Sequence, residues 1–459
     1  MSGGAFNDPQ RVSSIDELVA YFRVAETDVA DFRIGTEHEK IGVYRDTFER
    51  VPYEGVRGIG ALLEAVARSG GEGGAWQRIF EGEKLIALEK DGASITLEPG
   101  GQLELSGAPL RTIRETCREF NAHVELLKHV SEDLGIEWLA LGADPFHATP
   151  DIPRMPKVRY DIMRSYLPTR GGHALDMMHA TATVQANYDY SSESDMIGKL
   201  RAALGCSPIG SALFANSPLL EGAASGFATR RVDIWRDTDP DRCGMLPFVF
   251  DSDFGYRRYA EWAVDVPMFF VVREGEYHAQ NGTTFRQFME SGIQTASGPL
   301  HATIGDWDLH LTTLFPEVRL KRFIEVRGAD ATPGPFICAL PALWKGVLYD
   351  DRATNDAWSL VADWKVEQRV EALEAVAREG LRARTAGVPV LDLARELVQI
   401  ADAGLARIHE RGETDSDERH FLDPLRERIE EGRSLSDWVL DVWRESDGSA
   451  KQLLERVRY

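Results

Sequence analysis

Cysteine is scarce in this chain of 459 residues: Cys117, Cys206, Cys243 and Cys338 lie far apart and none forms a CxxC pair. That spacing excludes a zinc ribbon and a disulfide-stapled secreted scaffold, so reduced thiols are the expectation. Long apolar runs are missing as well. The longest, VPMFFVV at 266–272, is far short of the roughly 20 residues that span a bilayer. No opening segment joins basic residues to an apolar core and a small-residue cleavage site, and MSGGAFNDPQ reads as a polar tail. The expectation is therefore a cytoplasmic protein away from membranes. Positive charge is in deficit, with 52 Lys and Arg against 74 Asp and Glu for a formal charge of −22. Non-specific attraction to nucleic acid is disfavoured, which leaves small molecules as the expected partners.

The common phosphate-binding loops are absent too. Neither GxxxxGK[ST] nor GxGxxG occurs, and GGEGG at 70–74 carries no adjacent lysine and reads as a flexible turn. His38-Glu39 would begin an HExxH zinc motif only with histidine at position 42, which is Gly42. Nucleotide, if bound, has to be held on a sheet through metals and arginines.

What the chain does have is four stretches that set polar side chains at the spacing of one strand face. They are TEHEK at 36–40, LEPGGQLELSG at 97–107, MHATATVQANY at 178–188 and FPEVRLKRFIEVRGAD at 315–330. Residues i and i+2 of a strand point the same way. Glu37 and Glu39 then project together, as do Gln102, Glu104 and Ser106 with Leu103 and Leu105 behind. His179, Thr181, Thr183, Gln185 and Asn187 form a third polar face. Glu317, Arg319, Lys321, Glu325 and Arg327 form a fourth, backed by Val318, Leu320, Ile324 and Val326. The bland reading is solvated faces and exposed salt bridges, each worth about 0–1 kcal/mol. The functional reading is a cleft where carboxylates, which repel one another, hold magnesium shared with substrate phosphates. Four such strands in one chain favour the second.

The remaining pattern supplies a frame. SIDELVAYFRV at 14–24, GIGALLEAVARSG at 58–70, residues 109–134 and SSESDMIGKLRAAL at 191–204 read as helices. Asp91-Gly92 between LIALEK and ASITLE is a hairpin signal, and Glu98-Pro99-Gly100-Gly101 turns the chain into the next strand. EWLALGA reads as a short strand, followed by a proline-rich loop from Pro145 to Pro156. Beyond about residue 350 charged helices follow, with apolar stripes Val366, Val370, Leu373, Val376 and Leu397, Ala401, Leu405, Ile408. The expected division is a catalytic region over 1–350 and a helical region over 351–459 packed on it.

The four motifs in this order, with FANSP at 214–218, DRCGMLPFVFD at 241–251, YAEWAVDVPMFFV at 259–271 and TTFRQFM at 283–289, resemble the plant-type glutamate-cysteine ligases of plants and many proteobacteria. The likeness runs from about residue 30 to 350. It implies an α+β fold with an antiparallel, carboxylate-lined catalytic sheet like that of glutamine synthetase. It also implies ATP-dependent formation of γ-glutamylcysteine, the first step toward glutathione, with Mg2+ (or Mn2+) as the metal. Carried over, Glu37, Glu39, Glu98, Glu104, Gln185 and Glu325 are the implied metal set. Arg327 and Lys321 face phosphate and act with Glu325 in catalysis. Arg231, Arg258, Tyr256, Arg164 and Thr183 are implied for substrate. Cys117 and Cys338 match a pair that forms a disulfide in plant enzymes, whereas the second plant disulfide finds no cysteines near Gln280 and Thr295. A monomer or weak homodimer is expected. The alternatives are a related carboxylate-amine ligase using another amine, an idle nucleotide or amino-acid sensor, and a metal-dependent phosphohydrolase.

Overall fold

The computed structural model describes residues 8–69, 75–280, 282–295 and 298–459. Most of the MSGGAFNDPQ tail and the GGEGG turn lie outside them. Nine strands form one sheet: β1 (Ile34–Tyr44), β2 (Gln77–Glu81), β3 (Lys84–Lys90), β4 (Ala93–Leu97), β5 (Leu103–Ser106), β6 (Ile136–Leu139), β7 (Thr183–Tyr188), β8 (Val318–Leu320) and β9 (Ile324–Asp330). Their order is β8-β9-β7-β1-β5-β4-β3-β2, with β6 on the far half of β1, and the pairs are antiparallel.

The back of the sheet is apolar and covered. Val318 faces Val326, Val326 faces Ala186, and all three are buried. Against them pack the helices Glu193–Leu213, Gly334–Leu348 and Ile113–Glu132. Each buried Val, Leu or Ile there contributes about 1.5–3 kcal/mol. Capping fixes where these helices begin. Thr112 and Glu115 form a capping box, so the third helix starts at Ile113 rather than at 109.

The helix expected over 191–204 instead runs through Pro208 to Leu213. Proline removes the amide that would reach the Leu204 carbonyl, and the Ser207 hydroxyl donates to that oxygen instead, at 2.9 Å.

The C-terminal helices Asp351–Val361, Val366–Glu379 and Val390–Glu410 pack around Glu193–Leu213 and Gly334–Leu348. Leu397, Ala401, Leu405 and Ile408 are buried as a stripe. The other expected stripe is rotated: Val370 is 42% exposed, while Arg369 and Ala372 turn inward. Arg369 tolerates this because its guanidinium lies over the rings of Phe250 and Trp358. The chain ends on the sheet, where the Tyr459 amide donates to the Trp138 carbonyl of β6 at 3.0 Å.

Cys117 and Cys338 are joined as a disulfide, their Cα atoms 5.7 Å apart. Two neighbouring helices bring them within bridging reach, so reduced thiols remain only at Cys206 and Cys243.

Candidate active site

Register places the motif residues on the uncovered face. Across β4, β5 and β1, Thr96 faces Glu104 and Glu104 faces Glu39. Two residues along, Ser106 faces Glu37, and Glu37 faces Gln185 of β7. A further step brings Gly35 opposite Asn187, Asn187 opposite Glu325 and Glu325 opposite Arg319. Side chains at these positions therefore meet those on the next strand because the period of two is kept there; it is broken further along β9, where the register with β7 shifts between Val326 and Ala329.

The carboxylates are held individually. Glu104 accepts from Thr96 Oγ1 at 2.9 Å and Ser106 Oγ at 2.7 Å, and Glu37 accepts from Asn187 Nδ2 at 3.0 Å. Glu39 accepts from the Thr183 amide at 3.1 Å. Burial, then Glu98 and Glu104, raise the proton affinity of Glu39 well above the carboxylate norm. Burial and Glu104 push Glu98 up to about 7, and burial, Glu325 and Glu104 raise Glu37. A cluster of this kind calls for added positive charge.

Glu98 sits on the turn between β4 and β5, which is locked from below. Arg50 donates to the Gly100 carbonyl at 2.6 Å and pairs with buried Asp144 at 2.8 Å. Gln102 accepts from the Gly100 amide at 3.0 Å and donates to the Thr181 carbonyl at 2.7 Å. It thus serves the turn and does not join Glu104 on the cleft. The proline-rich loop packs on the same turn, its Met155 amide donating to the Pro99 carbonyl at 3.1 Å.

Glu325 is in different surroundings. It is fully buried and held by Arg319 through both oxygens at 2.7–2.9 Å, by Lys321 at 3.1 Å and by Arg327. Burial alone would raise its proton affinity, but Arg319, Lys321 and Arg327 together hold it well below the usual range. Arg327 also donates to Gln185 Oε1 at 2.7 Å, and its carbonyl accepts from Arg231 at 3.1 Å. Arg231 and Arg327 line a small recess with Trp235, Phe315 and Glu317. A larger cavity of about 500 Å³ opens at the other end of the face, walled by Glu37, Ser106, Asn187, Lys321, Phe323 and the Asp91-Gly92 hairpin.

Several expectations are corrected. FPEVRLKRFIEVRGAD is a hairpin, β8 and β9, turning at 321–323, and not one strand. His179 lies on a helix, Ala174–Ala180, and the strand begins only at Thr183. Thr183 Oγ1 donates to the Ala329 carbonyl at 2.7 Å, so its hydroxyl ties β7 to β9. Tyr256 is wholly buried, its hydroxyl donating to Glu26 at 3.0 Å and its ring against Phe22 and Tyr190. Arg258 on the same helix pairs with Asp253 at 3.9 Å. Arg164 pairs with Asp161. None of these three lines either recess. Register adds Thr96 to the site and gives Arg319 and Asn187, already on polar faces by spacing, their carboxylate partners. Among the described residues no group of three or more His, Cys, Asp or Glu side chains is arranged to hold a metal ion.

The fold is similar to that of a crystal structure of glutamate–cysteine ligase from Francisella tularensis in complex with AMP. The two superpose with a TM-score of 0.54 over 93% of this chain and 87% of that one, at 12% identity, a likeness of fold alone. The profile of glutamate-cysteine ligase family 2 matches residues 33–456, and the chain belongs to that family. It is 44% identical over 428 residues to the chloroplastic glutamate–cysteine ligase of Brassica juncea, covering 93% of this chain and 80% of that protein. The chloroplastic enzyme of Arabidopsis thaliana is 43% identical over 97% of this chain and 83% of its own length. These relatives overturn the expectation of a cytoplasmic protein, because near kin are chloroplastic.

Proposed function

We propose that the chain joins the γ-carboxylate of glutamate to the amine of cysteine with cleavage of ATP, through a γ-glutamyl phosphate. The observation that carries this reading is the match to glutamate–cysteine ligases across 93–97% of the chain. Family membership makes it a ligase of glutathione biosynthesis.

A carboxylate is a poor acyl donor until its oxygen becomes part of a leaving group. A glutamate γ-oxygen attacks the γ-phosphorus of ATP and ADP departs. The cysteine nitrogen then attacks the acyl carbon, phosphate leaves with the bonding pair, and the surplus ammonium proton passes to solvent. The cavity of about 500 Å³ is large enough for the nucleotide and has Lys321 on its wall. The recess between Arg231 and Arg327 suits an amino-acid carboxylate, with the arginines offering paired donors. The reacting groups then meet between them, over Glu37, Gln185 and Glu325.

Glu37, Glu39, Glu98 and Glu104 offer hard oxygen donors that repel one another, a donor set fitting magnesium or manganese, with Gln185 and Glu325 at its edge. Magnesium is commonly shared between a few protein carboxylates and substrate phosphate oxygens, which fits such an open set of donors. When bound, the ions supply charge neutralisation on the transferring phosphoryl group. Arg327 and Lys321, already close to Glu325, orient that group and offset its charge.

The test is phosphate release with Mg-ATP, with glutamate and cysteine present together and each omitted in turn. Release needing both, with γ-glutamylcysteine found by mass, supports the reading. Release with glutamate and another amine keeps the activation step but changes the acceptor, and release without amino acids points to a hydrolase.

A further inference from the structure

The reverse of β1 carries a polar group that nothing in the ligase reaction uses. Lys40 follows Glu39 and so points away from the cleft, to the covered side, where it is fully buried. Its ammonium lies 2.7 Å from His38 Nδ1 and donates to the His38 carbonyl at 3.3 Å, with the Tyr459 ring centroid 5.9 Å away. Among the described residues no carboxylate pairs with it. Behind it His38 Nε2 and both nitrogens of His123 have no partner, the two rings standing 5.8 Å apart. Burial lowers the Lys40 proton affinity to about 7, offset only in part by Glu104 and Glu39 across the strand, so a buried amine with no ion-pair contact, beside unsatisfied polar atoms, is a costly arrangement that a bound anion offsets.

Room for one is present. Lys40 lines a cavity of about 300 Å³ together with Arg45, Lys128, Arg458, Trp138 and Tyr459. Four basic and two acidic side chains, Glu132 and Glu137, form its wall. The other three cations are already paired: Arg45 with Glu137 at 2.6 Å and Glu132 at 3.2 Å, Arg458 with Glu137 at 3.0 Å, and Lys128 with Glu125 at 3.0 Å. Among the described residues of the wall Lys40 is therefore the one without an ion pair, and Trp138 and Tyr459 offer a ligand an apolar wall.

We infer that this cavity binds a small organic anion, a phosphate or carboxylate on an apolar body, with Lys40 as its charge partner. The site lies on the face opposite the catalytic cleft and is separate from it. It does not depend on which amine the enzyme uses, because binding and not turnover is the readout.

Calorimetric titration of the full chain with phenyl phosphate, and with orthophosphate for comparison, tests it. The titrations use Arg327→Ala protein, so that binding at the front recess is weakened, and the same protein carrying Lys40→Met or Arg458→Ala. The expected result is phenyl phosphate binding that survives Arg327→Ala, falls at least tenfold with Lys40→Met, and exceeds orthophosphate binding at least tenfold. Arg458 is half in solvent, so its removal leaves folding intact if Lys40→Met does not. It is expected to weaken binding severalfold by opening the mouth of the cavity. Affinity unchanged in both variants, no binding at all, or orthophosphate bound equally well would each overturn the proposal.

Discussion

Arg319 and Glu325 face each other across the β8–β9 hairpin, guanidinium to carboxylate through both oxygens, and Arg319 is itself anchored by the carbonyls of Thr312 at 2.7 Å and Leu314 at 2.8 Å. A pair so buried is retained because losing one member strands the other. Arg319→Met should lower stability by about 3 kcal/mol, within the range for a broken buried pair. Urea denaturation measures it, and a loss below the error of the fit would show that Lys321 and Arg327 suffice for Glu325. Glu325→Gln should cost stability as well as activity, since three cations then lose their common partner.

Glu104 separates catalysis from folding more cleanly. Its partners are the hydroxyls of Thr96 and Ser106, which can donate or accept. Glu104→Gln should leave the melting temperature within a few degrees of the parent protein while turnover falls on the order of a hundredfold and the magnesium requirement rises. Phosphate release measured against magnesium concentration decides it. Unchanged magnesium dependence would remove Glu104 from the metal set.

Gly100 sits where a side chain has no space. A Cβ there would stand 2.2 Å from the His179 carbonyl oxygen. Gly100→Ala should therefore push apart the Glu98 turn and the helix Ala174–Ala180, costing about 1–3 kcal/mol and displacing Glu98 from Glu104. Thermal unfolding and turnover should both fall, and an unaffected variant would mean that the turn adapts.

Much of this was legible in the chain because strands write their faces at period two. Glu37, Glu39 and Glu104 fall on one face as their spacing indicates, and Asp91-Gly92 makes the hairpin its dipeptide announces, with Asp91 at φ 51° and Gly92 at φ 84°. Where two elements share a period the sequence misleads. His179 and Thr181 continue the alternation of β7, yet ALDMMHA, which contains His179, has helical propensity and keeps its helix through Ala180. Tyr256 shows a different limit. Its place in the aromatic core near Phe22 depends on a partner distant in the chain that no local pattern reveals. The antiparallel partner of each carboxylate is invisible for the same reason, which is why Thr96, and the pairing of Arg319 and Asn187 with Glu325 and Glu37, emerge only from register.

The buried histidines give a pH prediction with a definite sign. Burial first, then Lys40, holds the proton affinity of His123 well below the usual histidine value, and burial, Lys40 and His123 do the same for His38. Each is neutral in the folded chain, whereas in the unfolded chain it takes a proton near pH 6.5. Below that pH the unfolded state binds more protons, so stability is fully present above about pH 6.5 and declines as pH falls through it. His123→Leu removes one of these titrations together with two nitrogens that have no partner. At pH 7.5 it should be neutral or stabilising by about 1 kcal/mol, and the loss of stability between pH 7 and pH 5 should shrink. Denaturant midpoints of the two proteins across that interval give the answer. If the acid limb of His123→Leu is as steep as that of the parent chain, the titrating group lies elsewhere.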